Sequence, residues 1–296
     1  MKRQDIPTAA WASRRAFGKG LGAALLGALV APPAFALDET LLAPEIRAIK
    51  QRGKLVVGLT SFDSPPFYYQ RKKSGGDGGA ALDGFDIQLA REIARSLEVE
   101  LVFNRQAEDF NKVVELVMTG QVDLATSKLS LTVKRAIGVL FSRPTIELRH
   151  ALLANRISLA RSADGRPPQE VINRHFVGSI GVIADSSFVD IARQLFSSAD
   201  IRQLKNWEAV VDAVNMGDVD IAYRDELEIK RIMHLRPELH LNVRSVLISD
   251  ERDLISVAMR YQSEQLANLV NVILLKRKKL DANQLLDEYA DIFATA

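Results

Sequence analysis

Two stretches of the chain repeat one pattern, and this repeat limits the fold more than any other feature of the sequence. "DFNKVVELVMTGQVDLATS" (109–127) and "NWEAVVDAVNMGDVDIAYR" (206–224) both place an aromatic residue before an amphipathic helix. In both, Gly follows the helix, an acidic residue opens an apolar strand, and the strand ends in polar residues. Helices that alternate with strands are typical of parallel βαβ units. The repeat therefore predicts an α/β chain built as two similar lobes.

Other segments extend this alternation on both sides of the repeat. Apolar runs predict strands at 55–59, 122–125, 148–154 and 179–183, and at 254–260 through "LISVAMR". Helical spacing of apolar residues predicts helices at 85–97, 110–118, 188–196, 263–275 and 281–293.

The stretch "TSKLSLTVKR" (126–135) follows the first repeated strand and is unusually polar. In open α/β sheets, ligands bind at the carboxyl ends of the strands. Ser127, Ser130 and Arg135 could therefore line a pocket for a small molecule that carries a carboxylate. The same residues would also suit a solvated loop that caps a helix, so the stretch by itself leaves both interpretations open.

The first 36 residues differ from the rest of the chain. They carry five Lys or Arg and one Asp, so they contribute +4 to a net charge of +2, and the remainder carries −2. A basic opening, an apolar run centred on 21–30 and Ala34 and Ala36 in an A-F-A spacing are typical of a cleaved secretory signal. The pair Arg14-Arg15 resembles a twin-arginine export signal, with ordinary Sec export as the alternative. We expect cleavage after Ala36 and a soluble periplasmic protein.

Several functional classes lack support in the sequence. The near-neutral remainder has no excess of basic residues for nucleic acid. The chain contains no Cys, which excludes disulfides and thiol catalysis, and its four His residues show no metal-ligand spacing. "GGDGG" is not followed by the Lys-Ser/Thr of a phosphate-binding loop. We therefore expect no nucleic-acid partner, no metal and no cofactor.

Five pieces occur in the order known from one protein family: "PPFYY", "GFDIQLAREIA", "DFNKVVELVMTGQVDLATSKLSLTVKR", "IGVIADSS" and "GDVDIAYRD". On these pieces the chain resembles the periplasmic solute-binding proteins for polar amino acids, the receptors of ABC importers. The resemblance covers most of 55–293. It implies a type II periplasmic-binding-protein fold of the α/β class, with a ligand cleft between two lobes and a two-strand hinge. It also implies an amino acid as ligand, a membrane permease as partner and a monomeric, non-enzymatic protein.

The resemblance also divides the chain. Residues 1–36 would be the signal peptide, 37–149 and 250–296 lobe 1, and 150–249 lobe 2. The hinge would lie at the two crossings, near 150–155 and 248–254. Closure of the lobes around the ligand is the motion to expect.

The family's residues that bind the backbone groups of the ligand can be carried over to five positions. Arg135 matches the arginine that clamps the ligand α-carboxylate with paired hydrogen bonds. Ser130 matches a hydroxyl near the amino end of the ligand, and Ser127 matches a contact from the strand end through its backbone carbonyl. Ser186 and Ser187 match the helix N-terminus of the second lobe, which offers N–H groups and a hydroxyl to the same carboxylate. Each serine could instead cap a helix.

Three more residues bear on specificity. Asp225 matches the acid that pairs with the ligand ammonium, although an aspartate that starts a helix would look the same. Phe110 matches the aromatic wall over the ligand side chain and could alternatively belong to the core. Lys128 stands where many relatives have a small residue. If its ammonium faces the cleft, it repels Lys or Arg ligands and favours an acidic or neutral one; if it faces outward, it has no such effect.

One position on the first-lobe side departs from the family. Relatives often have an aromatic residue two positions before the second Pro of "SPPFYY", and here that position is Ser64. Phe67 or Tyr68 could compensate for the missing ring.

Two alternatives to a transport receptor use the same scaffold. The chain also resembles periplasmic prephenate or arogenate dehydratases, and an enzyme of that kind would need a general acid such as Glu108, Asp109 or Asp185. Asp185 replaces a Gly that is usual in the family. A sensor that docks onto a membrane receptor would have the same binding site as a transport protein.

Overall fold

The structure is a computed structural model that describes residues 38–71, 81–163, 165–172 and 175–293. The described residues from 39 to 293 form one compact unit. The predicted signal peptide lies outside the described residues.

The chain alternates short helices and strands along its length. The strands are β1 (Lys54–Thr60), β2 (Tyr69–Arg71), β3 (Ala81–Asp83), β4 (Glu100–Ala107), β5 (Leu124–Ala125), β6 (Val139–Phe141), β7 (Ile146–Asn155), β8 (Ser179–Ile183), β9 (Asp200–Leu204), β10 (Ile221–Asp225), β11 (Val243–Ile255) and β12 (Ala258–Arg260). The α-helices are α1 (Pro44–Arg52), α2 (Phe85–Leu97), α3 (Phe110–Met118), α4 (Val133–Ala136), α5 (Arg156–Ala163), α6 (Pro168–Val171), α7 (Ser187–Leu195), α8 (Trp207–Met216), α9 (Glu226–Leu235), α10 (Glu264–Lys276), α11 (Ala282–Glu288) and α12 (Ala290–Phe293). Two 3₁₀ turns are Glu39–Leu41 and Pro237–Leu241.

The first sheet has the strand order β4-β1-β5-β12-β6. Strands β4, β1 and β5 are parallel, and β12 runs antiparallel to β5 and β6. Apolar residues of α1, α2 and α10 pack on one face, and those of α3 pack against another part of the sheet. We call this sheet with its helices and α4 lobe 1.

The second sheet has the order β11-β7-β10-β8-β9. Strands β10, β8 and β9 are parallel, and β7 and β11 are antiparallel to their neighbours. Helices α7, α8 and α9 bury apolar residues on this sheet. We call this sheet with its helices lobe 2.

The repeated stretches of the sequence form matching units in the two lobes. Asp109 caps α3 by accepting a hydrogen bond from the Lys112 N–H at 2.8 Å, and Asn206 caps α8 through the Ala209 N–H at 2.9 Å. Gly217 ends α8 with a φ of 85°, a left-handed conformation that favours glycine. The units then lead into β5 and β10, which lie inside their sheets.

Strands β7 and β11 run side by side for most of their length. Their pairing extends from Ile146 opposite Ile255 to Asn155 opposite Val243, with a register shift between Ile248 and Arg252. The predicted hinge crossings fall on this ribbon. Their role as a hinge stays a prediction.

Three predicted elements are divided or shortened in the structure. The predicted strand 254–260 is divided between β11 and β12, because the Ser256 N–H donates to Leu129 and the Val257 N–H to Ser142 as the chain passes between sheets. The helix predicted at 281–293 breaks at the buried Tyr289 into α11 and α12. The strand predicted at 122–125 is shortened to β5. By contrast, α3 and β8 have the predicted bounds.

Candidate functional site

The polar loop after β5 faces the junction of β10 and α9, and a lysine joins the two. Lys128 Nζ lies 2.9 Å from Asp225 Oδ2 and 2.8 Å from Glu228 Oε1. The three side chains are 2%, 0% and 4% exposed. The contact with Glu228 is a hydrogen bond, whereas the contact with Asp225 is a charge contact without hydrogen-bond geometry. Lys128 therefore points into the cleft and links lobe 1 to two carboxylates of lobe 2.

The backbone of Lys128 is held in a conformation that a lysine rarely adopts. Its φ is 48°, in the left-handed region. The Lys128 N–H donates to Asp86 Oδ2 at 2.8 Å, and Asp86 is buried on α2. Burial raises the pKa of Asp86 to about 7, with partial compensation from the Lys128 N–H and the charge of Arg277. Asp86 of α2 thus holds the backbone of Lys128 in the conformation that directs its side chain towards lobe 2.

The carboxylates opposite Lys128 belong to the start of α9. Asp225 caps the helix, since its Oδ1 accepts a hydrogen bond from the Glu228 N–H at 3.1 Å. Glu228 Oε2 also accepts from Arg231 Nε at 2.9 Å. Burial opposes the charged form of Glu228, but the charges of Arg231 and Lys128 outweigh it and hold the Glu228 pKa well below its usual range. Glu228 is therefore ionised and fully paired.

Arg224, the residue before Asp225, is a buried cation with few partners. It is 6% exposed, and its Nε donates no hydrogen bond within the described part of the chain. Nε lies 3.7 Å from Asp225 Oδ2, and the guanidinium carbon lies 5.4 Å and 5.9 Å from the ring centroids of Phe188 and Phe110. These rings attract the cation through their faces but accept no conventional hydrogen bond from it.

Arg135 lies at the other end of the polar loop and is 8% exposed. Its guanidinium donates to the Ser130 carbonyl at 3.1 Å and to Asn111 Oδ1 at 3.2 Å. Burial lowers the pKa of Arg135, and the charge of Asp253 partly compensates. Burial and the charge of Asp225 raise the pKa of Asp253 to about 6, while a hydrogen bond from Ser130 lowers it.

The predicted serines divide into two groups. Ser187 Oγ of lobe 2 donates to Ser130 Oγ of lobe 1 at 2.8 Å, so these two join the lobes. Ser186 precedes α7 and donates to the Ile183 carbonyl at 2.7 Å, without a side-chain cap bond. Ser127 turns into lobe 1, where its Oγ donates to the Tyr68 hydroxyl at 3.2 Å. The side chain of Ser127 is therefore committed to the interior of lobe 1.

Two cavities meet at Arg224. The smaller has a volume of about 10 Å³, room for about one water. Its lining consists of Phe110, Lys128, Ser130, Ser186, Ser187, Phe188, Arg224, Asp225 and Asp253. The larger has a volume of about 510 Å³ and lies between the lobes, within the range of small-molecule pockets. Phe62, Phe110 and Trp207 form aromatic parts of its wall, and Arg224, Glu228 and Arg231 lie on its lobe 2 side.

The missing aromatic ring of lobe 1 is supplied by Phe62. Its ring centroid lies 5.6 Å from that of Phe110 in an edge-to-face arrangement, and Ser64 lines the same cavity. Phe67 and Tyr68, the residues that the sequence suggested as substitutes, are both 0% exposed in the core. That suggestion was wrong, because these side chains point into lobe 1. Phe67 instead makes a cation–π contact with Lys128, whose Nζ lies 5.0 Å from the Phe67 ring centroid.

The structure brings six of the eight predicted residues to the smaller cavity, and Arg135 lies beside it. The side chain of Ser127 points into lobe 1, and the contact expected from its backbone carbonyl stays a prediction. Sequence reasoning missed Arg224, Glu228 and Asp253. A signal was present in "YRDELEIK" (223–230), where alternating charges follow an apolar strand. Their burial, however, depends on contacts across the lobes.

The acids considered for a dehydratase lie on the rim of the site. Glu108 and Asp109 line the larger cavity, and Asp109 uses its carboxylate as the cap of α3. Asp185 has a φ of 57°, in the left-handed region. This backbone conformation accounts for the Gly in relatives, and aspartate can replace it because aspartate tolerates the left-handed region better than most residues.

Within the described residues, no group of three or more His, Asp or Glu side chains is arranged to hold a metal ion. The same residues contain no helix long and apolar enough to cross a membrane.

Comparison with known families then decides the class of protein. Residues 55–290 match the family model for bacterial extracellular solute-binding proteins, family 3. The chain belongs to this family. The matched range includes both sheets and every residue of the site described above, so the site belongs to a family 3 solute-binding protein.

Two curated relatives are similar to parts of the chain. The chain is 28% identical over 204 residues to membrane-bound lytic murein transglycosylase F of Saccharophagus degradans, covering 69% of this chain and 36% of that protein. It is 26% identical over 146 residues to the lysine/arginine/ornithine-binding periplasmic protein of Escherichia coli, covering 49% of this chain and 52% of that protein. The chain thus spans about half or less of each of these two relatives.

Among solved structures, the chain is similar to the amino acid ABC transporter substrate-binding protein AbpA of Streptococcus pneumoniae bound to L-arginine. The TM-score is 0.64 at 27% identity, over 83% of this chain and 97% of that one. The type II periplasmic-binding-protein fold expected from the sequence is confirmed.

Proposed function

We propose that this protein captures an amino acid with an acidic or neutral side chain between its two lobes, outside the cytoplasm, and delivers it to the permease of an ABC importer. The observation that carries the proposal is the interlobe site, where Arg135 and Ser130 of lobe 1 meet Ser187 and Arg224 of lobe 2. Membership of family 3 and the names of the relatives support the ligand class and the transport role.

The charges of the site support an acidic or neutral ligand over a basic one. The cations are Lys128, Arg135, Arg224 and Arg231, and the anions are Asp225, Glu228 and Asp253. Glu228 has two cationic partners, and Lys128 also lies against Asp225. At the inner contact, a ligand with a cationic side chain would bring further positive charge beside Lys128, Arg135 and Arg224. The acids Asp63, Glu108, Asp109 and Glu208 line the larger cavity instead. Relatives named for arginine or lysine therefore differ from this chain in the proposed preference.

Delivery from the periplasm rests on the export signal of the first 36 residues. Twin-arginine export, cleavage after Ala36 and a monomeric state are parts of this proposal. The proposal also divides the chain into lobe 1 (37–149 and 250–296) and lobe 2 (150–249). It places the hinge at 150–155 and 248–254. Strands β7 and β11 pair on both sides of this region and shift register within it, between Ile248 and Arg252, which supports the hinge.

A thermal-shift screen against the twenty amino acids and their carboxylate analogues tests the proposal. A ligand at about a hundredfold excess over its Kd stabilises the fold by about 2.7 kcal/mol. We expect a shift with an acidic or neutral member and loss of at least about 100-fold in affinity in Arg135→Ala. No shift with any carboxylate would contradict the proposal, as would turnover of prephenate or arogenate, which would make the protein an enzyme.

A further inference from the structure

The carboxylate expected to bind a ligand ammonium already has a cation beside it in this protein. In a site that recognises amino acids, the ligand ammonium needs a carboxylate partner. Here the candidate partner, Asp225, is 0% exposed and already faces Lys128 Nζ at 2.9 Å. The second carboxylate nearby, Glu228, binds Lys128 and Arg231. The protein therefore supplies an ammonium of its own at the place where a ligand would offer one.

Arg224 presents the opposite situation. Its guanidinium is buried between the faces of Phe110 and Phe188 and lines both cavities. Nε finds no hydrogen-bond acceptor among the described residues. A buried donor without a hydrogen bond is unfavourable, and the nearest carboxylate, Asp225, lies 3.7 Å from Nε, beyond hydrogen-bond distance. A planar guanidinium suits a carboxylate, which can accept two parallel bonds. Nε of Arg224 is therefore a donor that an anionic ligand can fill.

Arg135 provides a second place for an anion on the lobe 1 side. Its contacts are a backbone carbonyl and the neutral amide of Asn111. Ser130, whose carbonyl accepts a hydrogen bond from Arg135, also lines the smaller cavity. Ser187 of lobe 2 donates a hydrogen bond to the Ser130 hydroxyl. A molecule with a carboxylate at each end can therefore bridge Arg135 and Arg224 when the lobes separate enough to admit it.

We propose that the ligand is a small dicarboxylate, bound by Arg135 at one end and Arg224 at the other, and that a ligand amino group takes no part in recognition because Lys128 supplies that charge. This inference rests on the proposed function and narrows its ligand class. Acidic amino acids bind, and the same molecules without the amino group bind at least as tightly. Lys128 is thereby the residue that determines specificity.

Calorimetric titration of the full chain with two matched pairs tests the inference: succinate against aspartate, and glutarate against glutamate. In the wild-type protein we expect the amine-free member of at least one pair to bind as tightly as its amino acid, or more tightly. Arg224→Gln should weaken both members by about 100-fold, because it removes the charge at one end.

The Lys128→Met variant provides the sharper result. With the internal ammonium removed, the amino group of aspartate or glutamate can pair with Asp225, so the preference should reverse to the amino acid by about tenfold. A purely structural role of Lys128 would weaken both members of a pair equally. The double variant Lys128→Met/Glu228→Gln removes one cation and one anion, so the net charge of the site stays as in the wild type. If the single variant unfolds, the double variant is titrated instead, and the same reversal of preference is expected. Lys134→Met, at an exposed lysine, should leave the preference unchanged.

The outcomes separate the inference from the proposed function. Tighter binding of aspartate and glutamate than of their amine-free partners in the wild-type protein, by about tenfold, would overturn the inference and leave the amino-acid receptor intact. Binding of neutral amino acids but of neither pair would also overturn it. Failure of every carboxylate would overturn both.

Discussion

The polar stretch 126–135 contains two lysines whose side chains contact acids of lobe 2. Lys128 lies in the loop after β5 and is buried, whereas Lys134 lies in α4 and is exposed. Lys128 meets Asp225 at 2.9 Å with both side chains almost fully buried. Lys134 meets Asp190 at 2.8 Å with side chains that are 76% and 52% exposed. Nearly equal distances thus correspond to very different energies, because water screens the outer pair and not the inner one. The inner pair determines what the cleft can bind.

Among the substitutions, the largest effect should come from breaking the inner pair. Lys128→Met leaves Asp225 and Glu228 buried with one cation fewer, and we expect the free energy of unfolding to fall by about 3 kcal/mol. Urea unfolding measures this change. Addition of Glu228→Gln should recover part of the loss; equal instability of the single and double variants would show that charge balance is not the cause.

A comparable effect should appear as a pH dependence through Asp86, which holds the Lys128 N–H. Its pKa is about 7 in the folded state and about 4 when unfolded. Between these values the folded state binds more protons, so stability falls as pH rises from about 4 to about 7, by on the order of 4 kcal/mol.

The variant Asp86→Asn should remove this part of the slope, since the amide oxygen can still accept from the Lys128 N–H. Asp253, with a pKa of about 6, should retain a smaller slope of the same sign. The measurement is urea unfolding at a series of pH values. An unchanged slope in Asp86→Asn would show that the acid is ionised in the folded protein.

A smaller effect is expected at the neutral contact between the lobes. Ser187→Ala removes the hydrogen bond from Ser187 Oγ to Ser130 Oγ, at a cost of about 1 kcal/mol. Thermal unfolding measures the change. A loss as large as that of Lys128→Met would mean that the hydroxyl pair, rather than the ion pair, holds the inner contact.

The smallest effect should come from the outer pair. Lys134→Met removes an exposed charge contact and should change stability by less than about 0.5 kcal/mol. Moderate salt should reduce even that difference, whereas the inner pair should be insensitive to salt. A large loss in Lys134→Met would contradict the comparison between the two pairs.

The sequence predicted the fold well where local pattern decides the structure. The predicted bounds of α3 and β8 are correct, because Asp109 caps the start of α3 and β8 is a short apolar run. The repeat correctly indicated two similar α/β units. Local pattern failed at 254–260, where contacts with Leu129 and Ser142 from distant parts of the chain divide one apolar run into two strands.

The sequence indicated which residue types line the site, but it did not indicate where their side chains point. The direction of Lys128 depends on Asp86, which is remote in sequence and belongs to another helix. Arg224 became recognisable only through the rings of Phe110 and Phe188, which come from different lobes. The same limitation led to Phe67 and Tyr68 being chosen over Phe62 as cavity aromatics, since the sequence does not show which rings of this segment are buried.

Trp207 offers the most direct measurement of the central claim, that the cleft takes a carboxylate solute and not a basic one. It lines the larger cavity and is one of two Trp in the chain, so Trp11→Phe leaves it as the sole indole. Its emission should change saturably on titration with glutarate or glutamate and stay constant with arginine or lysine. A saturable change with arginine or lysine and none with the dicarboxylates would contradict the account.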